Sequence, residues 1–265
     1  MKTNKSLHTF VILAYKESKY LEDCIKSVIT QKYSSQVIIA TTTPNKYIKN
    51  LAKKFKLKII TSKHTNIGGD FDFAKNCSNS DIVTIAHQDD IYDSTYSENI
   101  IKYFKKFPDS TIIFTDYYEI RNNKKELSNI NLKIKRLLIT PLRIKNISHI
   151  KFLKRLSIRF GDSISCPAVA YVTRNVPKNL FKSNYKSNVD WFAWEKLSRQ
   201  EGRFVFINKK LMGHRISEST ETTKIINSGE RTNEDLEILN KFWPYPIAKL
   251  LSKLYKKSEE LNTLK

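Results

Sequence analysis

The sequence has little cysteine, glycine or proline. Its 265 residues include three cysteines, six glycines and seven prolines. The cysteines, Cys24, Cys77 and Cys166, are odd in number and far apart, so neither a disulfide framework nor a zinc site of CxxC type is expected. Scarce glycine and proline argue against a low-complexity or disordered chain. The composition therefore predicts a globular protein in a reducing compartment.

Long apolar runs are also lacking. No stretch reaches the roughly 18 consecutive apolar residues that a membrane-spanning helix needs. The polar start, Met1 to Ser6, carries no apolar core of a signal peptide. The sequence thus predicts a cytoplasmic protein that would meet a membrane only at its surface.

Acidic residues are the minority charge, with 26 against 47 lysines and arginines and a net charge of +21. Such a charge attracts polyanions, which include nucleic acids, anionic lipids and phosphorylated substrates. The basic residues are dispersed, as in a solvated lysine-rich surface. No RNP, zinc-finger or helix-turn-helix signature accompanies them, so nucleic-acid binding is not favoured.

What the sequence does have is an alternation of apolar runs and amphipathic stripes. With 40% hydrophobic residues the chain can bury a large core. The alternation predicts an α/β domain with a mostly parallel, doubly wound sheet, whose ligands bind at the carboxyl ends of the strands. The predicted strands of the first half are 9–14, 36–41, 57–60, 81–86 and 111–114.

An acidic motif, His87-Gln88-Asp89-Asp90, follows the fourth predicted strand. Adjacent carboxylates repel each other, and a divalent cation such as Mg²⁺ or Mn²⁺ removes the repulsion and can hold a diphosphate. A solvated acidic turn is the alternative. The polar segments 15–17 and 41–43 follow two other strands and should meet the motif at the same sheet edge, which favours a ligand site.

The second half is predicted to contain a basic region at about 122–158 with an amphipathic helix near 147–156. Strands are predicted at 168–173 and 203–208, and a helix from 188 to about 200. The tail is predicted to be helical, with an apolar stripe of Ile247, Leu250, Leu251 and Leu254 beside lysines. Such a stripe either packs on its own domain or lies on an anionic membrane.

In order along the chain, several segments resemble family 2 glycosyltransferases with the GT-A fold. They are Phe10 to Val28, Asn66 to Gly69, His87 to Ile91, Asn188 to Trp191 and His214 to Thr220, and the resemblance covers roughly residues 8–220. It implies a Rossmann-like, mostly parallel sheet flanked by helices. We expect a GT-A domain at 1–222, with a nucleotide-sugar half (1–116) and an acceptor half (117–222), and a helical extension at 223–265.

The resemblance implies an enzyme, a hexosyl- or related transferase. It would move a sugar from a nucleoside-diphosphate sugar to an acceptor hydroxyl with inversion of configuration at the anomeric carbon. The UDP-sugars are the expected donors. A glycan, glycopeptide or lipid-linked acceptor is expected, in bacterial surface polysaccharide or glycoconjugate synthesis. Because many relatives use lipid-linked acceptors, the protein is expected to be peripheral on the inner face of the plasma membrane.

The resemblance also implies roles for individual residues. Asp190 is the expected general base, although a residue at a helix start can also be a plain N-cap. Beside it, Trp191 and Trp194 would stack on the acceptor, unless they form an ordinary core stripe. The expected ligands of Mn²⁺ or Mg²⁺ are Asp89, Asp90 and His214. The expected nucleotide contacts are Tyr15, Glu17, Thr42, Asp70, Lys75, Asp89 and Arg215.

The sequence departs from the family pattern at four positions: Ala14, Lys16, His87 and Ser217. His87 replaces the first aspartate of the acidic motif, which leaves an inactive, glycosyltransferase-like partner subunit as an alternative. A nucleotidyltransferase is a further alternative, although the glycine-rich phosphate loop typical of that class is missing from the early chain.

Overall fold

A computed structural model describes residues 6–216 and 230–263. Ser217 and the expected boundary at 222/223 lie outside the described residues. The strands that it contains form one sheet: β1 (His8–Ala14), β2 (Gln36–Thr41), β3 (Lys58–Thr61), β4 (Ile82–His87), β5 (Ile91–Tyr92), β6 (Ser110–Arg121), β7 (Lys124–Glu126), β8 (Val169–Val172) and β9 (Arg203–Ile216).

The sheet order is β3-β2-β1-β4-β8-β6-β9-β5, with β7 paired to β6. The first four strands are parallel, and β8 runs antiparallel to both β4 and β6. The long strands β6 and β9 are parallel to each other. This mostly parallel sheet confirms the α/β fold predicted from the sequence.

The helices cover the sheet with the stripes that their sequences predict. In the first helix the buried residues are Leu21, Cys24, Ile25 and Val28, at the spacing of one helical face. The helices are α1 (Leu21–Ile29), α2 (Lys46–Phe55), α3 (Ile67–Asn76), α4 (Tyr96–Lys106), α5 (Ile130–Leu138), α6 (Lys151–Ile158), α7 (Val189–Ser198), α8 (Glu230–Leu239) and α9 (Tyr245–Thr263). Short 3-10 turns lie at Thr140–Arg143, Lys145–Ile147, Cys166–Ala168 and Thr173–Asn175.

Apolar side chains pack in two clusters. One cluster joins α1, α2 and α4 to the sheet. The other joins α7, α8 and α9 to it through large rings such as Tyr171, Trp191 and Trp194. Because successive side chains of a strand point to opposite faces, neighbours such as Phe10 and Val11 in β1 fall in different clusters.

Two strands are longer than the sequence predicts. The expected strands 111–114 and 203–208 are the first parts of β6 and β9, which continue to Arg121 and Ile216. Their pairing shifts between Thr115 and Asp116, where β9 jumps from Ile207 to Lys210. The polar residues at this irregularity suggested strand ends, but the ladder resumes beyond it and carries β9 to the site.

The C-terminal helices pack on the domain through one side only. Ile238, Leu239 and Ala248 are buried in the second cluster. In the predicted tail stripe, Leu251 packs against that cluster, whereas Ile247, Leu250 and Leu254 are exposed. Within the ranges 6–216 and 230–263, no helix combines the length and apolarity needed to cross a bilayer.

Candidate functional site

The carboxyl ends of β1 and β4 are joined by one side chain of the acidic motif. Gln88 accepts the main-chain N–H of Tyr15 at 3.1 Å and donates to the carbonyl of Tyr15 at 2.9 Å. This two-way contact fixes the chain at the point where it leaves β1. Glu17, two residues on, is exposed. The polar segments that follow β1 and β4 are thus adjacent, as predicted.

A second polar group lies where β2 ends. Asp70, 7% exposed, accepts hydrogen bonds from Thr42 Oγ1 at 3.1 Å and His64 Nδ1 at 2.8 Å. The other carboxylate oxygen of Asp70 is buried without a partner. The Tyr15 ring lies 6.1 Å from the His64 ring. The structure therefore brings Tyr15, Thr42 and Asp70 together, and a buried acceptor beside two rings suits the polar edge of a nucleotide base.

The turn before α3 is closed by its own sequence. Asn66 caps the helix by accepting the N–H of Gly69 at 2.7 Å. A Cβ at Gly68 would fall against the carbonyl of Phe181, so only glycine fits at this close approach. The Asn66-Ile67-Gly68-Gly69 motif thus positions Asp70 in the first turn of the helix.

Asp90 is the buried centre of the acidic motif. It is 0% exposed and accepts the main-chain N–H of Arg215 at 2.8 Å. The Nδ1 of His214 donates to the same carboxylate at 3.0 Å. Asp90 therefore joins the end of β4 to the end of β9. This differs from its expected role as a metal ligand, because its carboxylate is occupied by protein donors.

Charge and burial act differently on the groups around Asp90. Burial lowers the pKa of His87, whose Nε2 is buried without a partner. Burial would also lower the pKa of His214, but Asp90 and Asp89 raise it above its usual value. Burial, followed by repulsion from Asp90, raises the pKa of Asp89 to about 6. The site thus holds an acid with a pKa near 6 beside an imidazole whose pKa two carboxylates raise.

Asp89 and His214 fit a divalent cation better than Asp90 does. An imidazole that donates one N–H to a carboxylate leaves its other nitrogen for a metal, which is the usual arrangement of metal-binding histidines. In the part of the chain that the structure describes, no three His, Cys, Asp or Glu side chains converge on a ready-made cation site. Since Mg²⁺ is often held by one or two carboxylates plus substrate phosphates, these two residues suit a cation that arrives with a diphosphate.

Arg215 is bound into the protein rather than extended toward a ligand. It is 5% exposed, and its Nε donates to the carbonyl of Asp89 at 3.0 Å. One terminal nitrogen donates to Asn123 Oδ1 at 2.9 Å, and the guanidinium lies 4.0 Å from the centroid of the Tyr20 ring. These contacts differ from the expected contact of Arg215 with the nucleotide. Arg215 instead fixes Asp89 and adds positive charge to the site.

Asp190 lies in the first turn of α7 beside a second carboxyl group. Its Oδ1 accepts the N–H of Trp191 at 2.9 Å. Asp162 lies beside Asp190, and burial, followed by the charge of Asp190, raises the pKa of Asp162 well above its usual range. Burial disfavours the charged form of Lys135, but Tyr117 and Asp162 raise its pKa. A buried carboxyl group and a lysine therefore lie near Asp190.

The carboxyl pair and the acidic motif belong to one site. Asp190 and Asp90 both act electrostatically on His87, and Lys135 acts on both His214 and Asp162. The ends of β4 and β9 therefore lie near α5 and the first turn of α7. The structure thus brings the predicted base near the predicted diphosphate side.

The chain before α7 is held by carboxylates of α8. Glu234 accepts the N–H groups of Lys186, Ser187 and Asn188 at 2.6–3.0 Å. Asn188 also donates to Asp235 Oδ1 at 2.6 Å. The C-terminal helices therefore fix the approach to Asp190.

Three expected ligand contacts are placed elsewhere. Trp191 and Trp194 are fully buried, and their indole N–H groups donate to the carbonyls of Ile158 and Ile164. Neither ring has an exposed face on which an acceptor sugar could stack, so both tryptophans are core residues. Lys75 is 3% exposed and donates to Asn76 Oδ1 and the carbonyl of Lys178, which removes it from the nucleotide side.

The sequence reasoning missed His64, Asp162, Lys135, Tyr20 and Asn123. One signal was available: Asn122-Asn123 suits a two-residue hairpin with positive φ at both positions, and the structure has φ 50° and 60° there between β6 and β7. The other four carry no local motif, because their roles depend on partners far along the chain.

Comparisons with known proteins agree with this architecture. The family model described as glycosyl transferase family 2 matches residues 9–181. No curated protein matches the chain significantly.

Several solved structures are similar. The S. aureus TarS fragment 1–349 superposes with a TM-score of 0.58 at 12% identity, covering 92% of this chain and 69% of that one. The same fragment in complex with UDP-GlcNAc gives 0.58 at 13% identity, over 92% and 70%. The mannosyltransferase PcManGT from Pyrobaculum calidifontis, in complex with GDP-Man and Mn²⁺, gives 0.57 at 11% identity, over 95% and 74%. At these identities the likeness shows the fold.

Proposed function

This chain belongs to glycosyl transferase family 2, and from this premise we propose that it transfers a sugar, with inversion, from a UDP-sugar to an acceptor hydroxyl. Its helix-flanked sheet is the GT-A fold that the sequence predicted. The acceptor belongs to a surface polysaccharide or glycoconjugate, as a glycan, glycopeptide or lipid-linked molecule. The observation that supports the proposal is the proximity of Asp89 to His214, and of both His214 and Asp190 to His87.

In the proposed reaction Asp190 takes the proton of the acceptor hydroxyl. The oxygen attacks the anomeric carbon from the face opposite the diphosphate, and the bond from that carbon to the diphosphate oxygen breaks. The configuration at the anomeric carbon is inverted, and the nucleoside diphosphate leaves with the bonding electron pair. Asp190 suits this task because proton transfer needs a positioned base, and its Trp191 contact fixes the carboxylate.

The leaving diphosphate meets positive charge at the other end of the site. Asp89 and His214 would hold Mn²⁺ or Mg²⁺, which supplies charge neutralisation at the diphosphate when it is bound. Asp90 orients His214, and Arg215 fixes the main chain of Asp89. On the donor side, Tyr15, Thr42 and Asp70 would contact the base, and the exposed Glu17 would contact the nucleotide.

Donor binding is the first property to test. Thermal unfolding should be followed with UDP, GDP, dTDP and CMP, each with and without Mn²⁺. We expect stabilisation by UDP that requires Mn²⁺, since a ligand at 100 times its Kd adds about 2.7 kcal/mol to the unfolding free energy. A lack of response to all four nucleotides would contradict the proposal.

The base is tested by Asp190→Asn. The variant should lose release of UDP from UDP-sugars in the presence of acceptor, while the Mn²⁺-dependent stabilisation by UDP persists. Asp81→Asn, at the far end of β4, is the matched control and should leave both properties unchanged. Equal loss of binding and turnover in Asp190→Asn would show that Asp190 is structural.

An inactive partner subunit remains the second candidate, and His87 is the observation behind it. The imidazole replaces the first carboxylate of the motif, and burial keeps its pKa low. Nucleotide-dependent stabilisation without turnover on any UDP- or GDP-sugar would favour this candidate.

A further inference from the structure

Exposed apolar side chains are concentrated in one part of the chain. Among the described residues, 14 large apolar side chains are exposed, and nine of them lie between residues 127 and 160. Four others lie on α9, and Ile29 stands apart. We call the nine the apolar-basic face: Leu127, Ile130, Ile134, Leu137, Ile144, Ile147, Ile150, Phe152 and Phe160.

The same span has no acidic residue. Residues 127–161 contain nine lysines and arginines and neither aspartate nor glutamate. Lys133, Arg143 and Lys151 are exposed among the apolar side chains. The span therefore carries a net positive charge, although Arg136, Lys151 and Arg155 pair with acidic residues from other segments.

Helix α5 shows the orientation most clearly. Ile130, Ile134 and Leu137 follow one another at the spacing of a single helical stripe, and Leu137 is 72% exposed. The opposite side carries the buried Leu132 and Arg136, which pairs with Asp116. The helix therefore points an apolar stripe to solvent, the reverse of a helix that packs only on its own core.

The neighbouring elements extend this surface. Helix α5, the 3-10 turn Thr140–Arg143 and α6 contact one another. Ile144 follows that turn and is 62% exposed, as is Phe152 on α6. Exposed apolar residues thus continue over three contacting elements, whereas single exposed apolar residues are ordinary on protein surfaces.

We propose that the apolar-basic face docks on an anionic lipid bilayer. Apolar side chains that enter the headgroup boundary, beside lysines and arginines that meet anionic headgroups, are the two features of interfacial membrane binding. A protein partner fits less well, because lysine is depleted in protein interfaces. A nucleic acid would use the positive charge but not the apolar stripe.

The docking face also borders the candidate site. Lys135, on α5 between Ile134 and Arg136, acts on Asp162, the neighbour of Asp190. A bilayer on the outer side of α5 would thus lie next to the acceptor side of the site. The placement of the bilayer next to the acceptor side rests on the proposed function, whereas membrane binding itself does not depend on it.

Vesicle co-flotation tests the proposal on the full chain. We expect binding to vesicles of 70% phosphatidylcholine and 30% phosphatidylglycerol, and little binding to pure phosphatidylcholine. Ile134→Ser combined with Leu137→Ser should weaken binding by about tenfold or more, because two apolar side chains no longer enter the lipid. Ile29→Ser, at a residue that is 42% exposed against 44% for Ile134, is the control and should bind like the parent chain.

Several results would overturn the proposal. The proposal is wrong if the full chain does not float with anionic vesicles. It is also wrong if the double variant floats as well as the Ile29→Ser control. Self-association that the double variant abolishes, without vesicle binding, would assign the face to a second copy of the chain. Mn²⁺-dependent UDP stabilisation should persist in the double variant, so failure here is distinguishable from failure of the proposed function.

Discussion

At the scale of single residues, the site depends on carboxyl groups whose neighbours set their charge. Asp89 and Asp162 both have raised pKa values because burial and an adjacent carboxylate disfavour the ionised form. The two differ in what their neutral form does. Asp89 must ionise to bind a cation, whereas Asp162 is useful as a donor to Asp190.

The raised pKa of Asp89 predicts opposite pH dependences for stability and for binding. A raised folded-state pKa means that this carboxyl group stabilises the ligand-free protein below about pH 4, and that the contribution is lost as pH rises through about 6. Cation binding needs the carboxylate, so Mn²⁺-dependent UDP affinity should increase over the same rise. Calorimetric titration at pH 5, 6 and 7 measures this, and Asp89→Asn should abolish the metal dependence.

Asp162 is predicted to act in its neutral form. Asp162→Asn keeps a hydrogen-bond donor toward Asp190 and should retain kcat within about threefold, whereas Asp162→Ala should lose about tenfold or more, since a hydrogen bond to a charged group contributes roughly 1.5–3 kcal/mol. Steady-state kinetics, with KM for the UDP-sugar unchanged in both variants, checks this. Equal losses in the two variants would mean that Asp162 acts as a charge.

Sequence motifs predicted which residues approach the site better than what each residue does there. The order of the motifs was enough to predict that Asp89, His214 and Asp190 approach one another. It could not reveal that Asp90 is occupied by Arg215 and His214, because that pairing depends on β9 lying beside β5. The burial of Trp191 and Trp194 likewise depends on packing from α6 and the segment that follows it.

At the scale of elements, the irregularity between β6 and β9 is fixed by an ion pair. Arg136 Nε donates to both carboxylate oxygens of Asp116 at 2.9 and 3.1 Å, and its terminal nitrogens donate to the carbonyls of Leu127 and Tyr117. One side chain of α5 thus holds the bent part of β6. The strands predicted from the sequence ended too early, because the contact with Arg136 cannot be recognised from the residues of the strands themselves.

Removing this anchor should destabilise the protein. Arg136→Ala leaves the buried carboxylate of Asp116 without its ion-pair partner and should cost roughly 3 kcal/mol of unfolding free energy. Arg136→Lys should recover only part, since an ammonium cannot reproduce the planar fork. Urea denaturation monitors both variants, with the exposed Arg143→Ala as control, and an Arg136→Ala midpoint equal to the control would contradict the prediction.

At the scale of the whole molecule, the C-terminal helices stabilise the domain on which they pack. Trp243 donates its indole N–H to the carbonyl of Arg159 at 2.8 Å, and the Arg159 guanidinium lies 3.7 Å from the Trp243 ring centroid. These contacts, with the carboxylates of α8 that hold the segment before α7, connect the C-terminal helices to the side of the site where Asp190 lies.

Trp243→Ala tests this connection. The loss of a half-buried ring and its hydrogen bond should lower the unfolding free energy by about 2 kcal/mol, which corresponds to a Tm lower by about 5 °C for a domain of this size. Tyr245→Ala, with a ring that is 55% exposed, is the control and should leave Tm nearly unchanged. Equal Tm values for the two variants would mean that the extension contributes little to stability.

The position of β9 has a consequence for synthesis on the ribosome. Among the strands in the described ranges this one comes last along the sequence, yet it lies inside the sheet between β6 and β5. Until residues 214 and 215 have left the exit tunnel, Asp90 lacks both the imidazole and the N–H that it accepts in the finished protein. Pairings so distant in sequence form slowly. The first four strands therefore wait for some 125 further residues before the acidic motif that follows β4 is complete. During that interval the unpaired strands of the sheet are exposed to aggregation, which chaperones prevent.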